Sequence, residues 1–339
     1  MVNSNNDAIV FIEGLEHKRF VMPYIKILNN IGIKTLVVSF EDLLITKKNF
    51  PQLTFLVIPK SDLLKFAINA QAKIFLTTTP GVGTRYFPSS KALPNNSRPK
   101  YVYVFHSLVS PNRVYSKNSF KNFDYILSPN NLISSQLKYL TKNSKILTIG
   151  YPLLNEKINK NSQLENSILI APSWSQNGLL SNTSKLKEYI NYFMDLDLEI
   201  TLRPHPMELN KSKELKKIFK ENVIFDFDKN LDNLHNYKYL MTDWSGISLE
   251  YFYYKRSPVL FSTSSIKKRR KLTLKERKIK LIEDQARTHL GIVFDLRSKS
   301  VLEDIKDYQI DNECIKFCEE IYNPKFQDSN VEQIFKKLV

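Results

Sequence analysis

Short apolar runs recur along the whole chain, separated by longer segments of mixed polarity, which is the pattern of parallel α/β layers. In the first half the runs predict strands at Ala8–Ile12, Thr35–Ser39, Thr54–Ile58, Ile74–Thr77, Tyr101–Phe105, Tyr125–Leu127 and Ile146–Ile149. Amphipathic segments between them, such as Arg19–Ile31 and Ser61–Ala70, predict helices. Ser61 is placed to cap the second of these, with Asp62 in its first turn. Gly150-Tyr151-Pro152 closes this half, and a polar stretch rich in Asn, Lys and Glu, Asn155 to Asn166, reads as a linker. The pattern then restarts, with strands at Ile168–Ala171, Glu199–Leu202, Val223–Phe225, Tyr239–Met241, Val259–Phe261 and Gly291–Phe294. Its helices are expected at Thr183–Met194, Ser212–Glu221 and Ile247–Tyr254. The fold class is therefore α/β, with two doubly wound, Rossmann-like domains facing a cleft. Residues 1–155 form the first domain, 160–310 the second, and 311–339 are C-terminal helices that could pack back on the first. Ligands of such sheets sit at the carboxyl ends of strands, so polar groups there carry the most weight.

A chain of 339 residues exceeds one ordinary core, which agrees with two domains. Hydrophobic residues at 42% and charged residues at 25% exclude a disordered chain. Fifty Lys and Arg against thirty-four Asp and Glu leave a net charge of +16, which implies a polyanionic neighbour. Nucleic acid, an anionic membrane face and a phosphate-rich substrate all satisfy that. The N-terminus lacks a basic n-region, Ala8–Ile12 is too short for a signal peptide, and no apolar stretch is long enough to span a bilayer. Cys314 and Cys318 lie four apart in an expected helix, where a disulfide would constrain little and no Cys or His neighbours complete a zinc set. They read as reduced packing cysteines, and the protein as cytoplasmic.

Three segments bring unusual polar groups to strand ends. An apolar strand delivers His106, where a general base could meet a substrate hydroxyl; taken alone, it reads more readily as a histidine that merely caps or bonds its own loop. After Glu199–Leu202 comes Arg203-Pro204-His205-Pro206. Its two prolines stiffen a turn that holds a guanidinium beside an imidazole, two donors suited to phosphate. In Thr242-Asp243-Trp244-Ser245-Gly246 a strand gives way to a helix, whose free N–H groups and dipole favour an anion; Ser245 could instead be an ordinary N-cap.

Taken together, Phe105-His106-Ser107, Arg203-Pro204-His205-Pro206 and Thr242-Asp243-Trp244-Ser245-Gly246 resemble the CDP-glycerol glycerophosphotransferase family, which makes teichoic acids and related surface polymers. Weaker echoes are Gly150-Tyr151-Pro152, Ile170-Ala171-Pro172-Ser173-Trp174 and Phe326-Gln327-Asp328. The likeness runs from about residue 100 to the C-terminus. Two positions depart from the family pattern: Ser107 stands where a glycine follows the histidine, and Gly246 replaces a second serine.

The resemblance implies a GT-B fold and transfer of glycerol phosphate, or a similar polyol phosphate, from a CDP-activated donor to a hydroxyl of a glycan or lipid-linked acceptor. His106 would take the acceptor proton, and His205 would assist the chemistry. Arg203, His205, Asp243, Ser245, Gly246 and Ser173 would bind the donor, with no cofactor and no metal. Asp195-Leu196-Asp197 and Asp226-Phe227-Asp228 mimic a metal motif, but their alternation with apolar residues predicts solvent-facing carboxylates. Lys267, Lys268, Arg269, Arg270 and Lys271 open a basic stretch read as a membrane-surface element, which would make the protein peripheral on the inner face of the cell membrane. No nucleic-acid recognition signature accompanies the charge. The rival readings are a glycosyltransferase of the same fold using a CMP- or UDP-activated sugar, and a basic nucleic-acid-binding protein.

Overall fold

The computed structural model of the chain describes residues 6–43, 50, 53–81, 98–155, 164–174, 178–205, 208, 212–219, 223–227, 233–264, 278–297 and 300–339. Each apolar run is a strand. In the first half these are β1 (Ala8–Ile12), β2 (Thr35–Ser39), β3 (Thr54–Val57), β4 (Ile74–Thr77), β5 (Lys100–Val104), β6 (Tyr125–Ser128) and β7 (Lys145–Thr148). All pair in parallel, in the order β3-β2-β1-β4-β5-β6-β7. The second half supplies β8 (Leu164–Ile170), β9 (Glu199–Leu202), β10 (Ile224–Phe225), β11 (Tyr237–Thr242), β12 (Val259–Ser262) and β13 (Gly291–Phe294). They form a second parallel sheet in the order β10-β9-β8-β11-β12-β13. Strands buried on both faces need no polar alternation, and β1, β2 and β4 are accordingly unbroken buried runs.

The chain divides into two compact units. One comprises Met1–Ser107, Val114–Asn155 and Glu320–Val339; the other comprises Leu108–Arg113 and Glu156–Glu319. The core of the first joins Val10, Ile12 and Leu76 of its sheet to Tyr24 and Leu28 of the helix Leu15–Asn30, and to Phe335 of the helix Asp328–Leu338. The last twenty residues thus close the first core. Gly150 shows how tightly they do so. It has φ +90°, and a Cβ there would lie 2.2 Å from the backbone nitrogen of Phe326. Asn155 Nδ2 donates to the Phe326 carbonyl at 2.6 Å, and the Tyr24 and Phe326 rings meet edge-on at 5.8 Å. The second core packs Ile168, Ile170, Ile200, Met241 and Leu260 against Leu186, Tyr189 and Phe193 of the helix Thr183–Met194.

The structure corrects several boundaries. The first helix begins at Leu15, not Arg19. Ser61 does not cap the next: Asp62 holds that place without a side-chain cap bond, after a 3-10 turn over Lys60–Asp62. β8 begins at Leu164, inside the stretch expected to be linker; the rest of that stretch, from residue 156, lies outside the described residues. Helices also form at Ile282–His289 and Val301–Asp307. Cys314 and Cys318 are both buried and unbridged on the helix Asn312–Tyr322, and burial raises both thiols, Cys318 to about 12. Among the described residues no helix is long and apolar enough to cross a membrane.

Candidate functional site

In the second unit the strand order reverses between β8 and β11, which is where such sheets form a crevice at their carboxyl edge. Backbone bonds continue past the strand ends: the Arg203 N–H donates to the Ile170 carbonyl at 2.9 Å, and the Ala171 N–H to Met241 at 2.9 Å. Segments 171–173, 203–205 and 242–246 therefore lie side by side. Asp243, with 0% exposure, ties them. Its Oδ1 accepts from the Ser173 N–H at 2.7 Å and its own neighbour Trp244 at 2.7 Å, and its Oδ2 accepts from the Leu179 N–H at 3.0 Å. Asp243 is therefore a fastener of the loop after β8.

Arg203 is also enclosed, at 6% exposure. Its Nε and Nη2 donate to Asp226 Oδ2, and Nη2 also reaches Asn233 Oδ1 at 2.6 Å. Asp226 was expected to face solvent. Its side chain is instead only 12% exposed, because it neutralises Arg203. The fork leaves Arg203 Nη1 buried without a partner among the described residues, and the same holds for Ser173 Oγ, one strand across. His205 is half-buried, and its carbonyl accepts from the Glu208 N–H at 2.8 Å. The helix Ile247–Lys255 has Gly246 at its N-cap with no side-chain cap bond; Ser245 Oγ lies 3.4 Å from the Ile247 nitrogen, too long to act as a firm cap.

Next to Asp243, Trp244 has two guanidiniums near its ring, Arg287 at 4.5 Å and Arg113 at 5.8 Å from the ring centre. Arg287 donates to the carbonyls of Asp243 (3.0 Å) and Ser262 (2.8 Å). Arg113 belongs to the six residues after His106 and Ser107 that pack with this unit. It pairs with Glu283 at 2.9 Å, and Ser110 bonds both the Glu283 carboxylate and the Ile282 N–H. A Cβ on Gly246 would come 3.2 Å from Val109 of the same stretch.

In the first unit the order reverses between β1 and β4. Next to it β5 delivers His106, which is half-buried, with its Nδ1 enclosed and without a hydrogen-bond partner among the described residues. Its ring lies 5.0 Å from His17 and 5.2 Å from Phe20. Burial lowers its pKa from 6.5 to about 3; the charge of His17 and then of Arg19 push the same way, against a backbone hydrogen bond at Val104. The imidazole is therefore neutral at pH 7.

Sequence reasoning missed Asp226, which pairs with Arg203, and Arg287, Glu283 and Arg113, which brace the segment around Asp243 and Trp244. It also missed Glu13 and His17. The only sequence signal for these two was their place directly after β1, facing the loop Thr77-Thr78-Thr79. Lys267, Lys268, Arg269, Arg270 and Lys271 lie outside the described residues, as do Pro206 and Asp228.

The profile of the family described as CDP-glycerol:poly(glycerophosphate) glycerophosphotransferase matches residues 105–279, just over half of the chain. No curated protein matches the chain by sequence. Among solved structures, the wall teichoic acid polymerase TagF matches at 14% identity and TM-score 0.60, over 98% of this chain and 88% of that one. A UDP-GlcNAc 2-epimerase from Methanocaldococcus jannaschii matches at 13% and 0.63, over 98% and 99%. A glycosyltransferase from Rickettsia africae matches at 11% and 0.53, over 99% of each chain. These likenesses show the fold, which is GT-B.

The lowered His106 pKa has a stability consequence. Between pH 6.5 and about 3 the unfolded chain binds a proton at this histidine that the folded chain refuses, so stability falls as pH drops through that window. His106→Gln removes the linkage. Urea denaturation at pH 7 and pH 4.5 should show a smaller loss for the variant than for the wild type. Equal losses would mean that His106 is not held neutral by the fold.

Proposed function

Because the chain belongs to the CDP-glycerol:poly(glycerophosphate) glycerophosphotransferase family, we propose that it moves glycerol phosphate, or a similar polyol phosphate, from a CDP-activated donor to a hydroxyl of a surface polymer or its lipid-linked precursor. The observation that carries this reading is the pair of buried, unpartnered polar atoms at neighbouring strand ends, Arg203 Nη1 and Ser173 Oγ. Leaving such atoms unsatisfied costs about 1–3 kcal/mol each. A bound diphosphate supplies acceptors for both. The likeness to TagF supports a role in wall-polymer synthesis.

In the proposed step the acceptor oxygen loses its proton to neutral His106 and bonds to the donor's β-phosphorus, while the bond from that phosphorus to the bridging oxygen breaks and CMP leaves. A diphosphate brought close to this imidazole in the step would raise its proton affinity. Arg203 Nη1, His205, the Ser173 and Ser245 hydroxyls and the N–H groups at Gly246 and Ile247 bind the phosphates. Donors of this kind, preorganised toward charge that grows in the transition state, contribute about 3–4 kcal/mol each. Asp243 serves by holding Ser173 and Trp244 in place.

Calorimetry with CDP-glycerol, CDP-ribitol, CMP and a UDP-sugar tests the reading. The cytidine ligands should bind, and Arg203→Ala should weaken them tenfold or more, with Ser173→Ala weakening them less. His106→Ala should abolish turnover and spare donor affinity. Preference for the UDP-sugar would favour a glycosyltransferase, and unchanged affinity in both donor-site variants would remove the phosphate site.

The basic run Lys267 to Lys271 is proposed to hold the protein at an anionic membrane, at roughly 1 kcal/mol per residue near the surface. Replacing all five with Gln should release the protein from anionic vesicles and leave turnover of a soluble acceptor intact. Vesicle co-sedimentation equal to wild type would contradict that role.

A further inference from the structure

The carboxyl edge of the first sheet carries a polar cluster that the reaction above leaves unused. Glu13 follows β1, His17 lies in the first turn of the helix Leu15–Asn30, and Thr78 and Thr79 follow β4, the strand paired with β1. Both threonines have 0% exposure. Thr79 Oγ1 donates to Glu13 Oε2 at 2.9 Å, and Thr78 Oγ1 lies 3.1 Å from His17 Nδ1. Buried hydroxyls thus fix a carboxylate and an imidazole that both remain partly exposed. The fixed imidazole stands edge-on to the His106 ring, and Phe20 lies against the same ring.

The charges say what would bind there. The start of a helix ordinarily attracts an anion, but Glu16 turns its own carboxylate over this one: a Cβ built on Gly14 would lie 2.5 Å from Glu16 Oε1. Glu16 also stands 3.9 Å from His17 Nε2. A phosphate here would face two carboxylates, Glu13 and Glu16, with Arg19 drawn over the Phe20 ring at 4.6 Å. Hydroxyl groups suit the same surface, since a carboxylate accepts from them and an imidazole can either donate or accept. The Phe20 and His106 rings offer apolar faces for C–H groups.

Building on the transferase reading, we propose that Glu13, His17, Thr78 and Thr79 form a subsite for the neutral, hydroxyl-bearing end of the acceptor polyol, with His17 as the group that holds one hydroxyl beside His106. This gives the first unit an uncharged polyol end to recognise, while the second unit's donors recognise phosphate.

Glu13→Gln and His17→Ala in the full chain test the proposal, with a synthetic glycerol phosphate trimer as the acceptor probe. Each variant should raise the KM for the trimer tenfold or more, while CDP-glycerol binds with wild-type affinity by calorimetry. Saturation-transfer NMR, which needs no turnover, should show the trimer's terminal glycerol protons in contact with the wild type and not with either variant. Gln at position 13 retains an oxygen to accept from Thr79, so an unchanged melting temperature should confirm that this variant folds. A trimer KM within twofold of wild type in both variants, or an undiminished terminal-glycerol signal, would overturn the subsite. Failure of CDP-glycerol to bind the wild type would strike the transferase reading instead, and the NMR result would still decide the subsite.

Discussion

The carboxylate of Asp243 sits with no exposure at the reversal point of the second sheet, and burying it requires hydrogen bonds that only the backbone around it can give. Three N–H groups, from Ser173, Leu179 and Trp244, supply them. Buried carboxylates are tolerated when their oxygens are satisfied in this way. The cost of breaking any of these bonds is what makes the loop after β8 follow the end of β11. Ser173 and the Ser245-Gly246 helix start are therefore set by one side chain that need never touch a ligand. Arg287 extends the constraint by gripping the Asp243 carbonyl from behind and stacking on Trp244.

Arg203 obeys a related economy. A buried guanidinium needs a counter-charge, and Asp226 provides it through one edge of the fork. A lysine could not divide its function in this way, because its single ammonium has no second rigid edge to spare. The remaining Nη1 is held in place before any ligand arrives, so binding does not have to order it. The first unit offers contrasting chemistry, with a neutral histidine beside a carboxylate and an imidazole that threonines fix. The two units thus carry chemically different surfaces, as the proposed division between phosphate and hydroxyl requires.

The sheets were legible in the sequence because parallel strands buried on both faces must be continuous apolar runs; Ala8–Ile12, Thr35–Ser39 and Ile74–Thr77 fall on the expected residues and are buried throughout. Groups at strand ends stood out for the same reason, since Arg203 and His106 each interrupt such a run. Supporting residues did not, because their roles depend on contacts distant in sequence. Asp226 reads as one half of an exposed Asp-Phe-Asp triplet until β10 places it beside β9. Glu283 reads as helix surface until Ser110 and Arg113 reach it. Ser245 resembles a cap in sequence, but Gly246 holds the cap position, and the Ser245 hydroxyl reaches the Ile247 N–H only at 3.4 Å.

Residue-resolved amide exchange by NMR, with and without saturating CDP-glycerol, tests most directly whether the phosphate site is built in advance around Asp243. The amides of Ser173, Leu179 and Trp244 should already exchange slowly in the free protein, and those of Gly246 and Ile247 should become slow only when the ligand is present. Fast exchange at Ser173, Leu179 and Trp244 before ligand is added, or no new protection at Gly246 and Ile247 afterwards, would contradict the account.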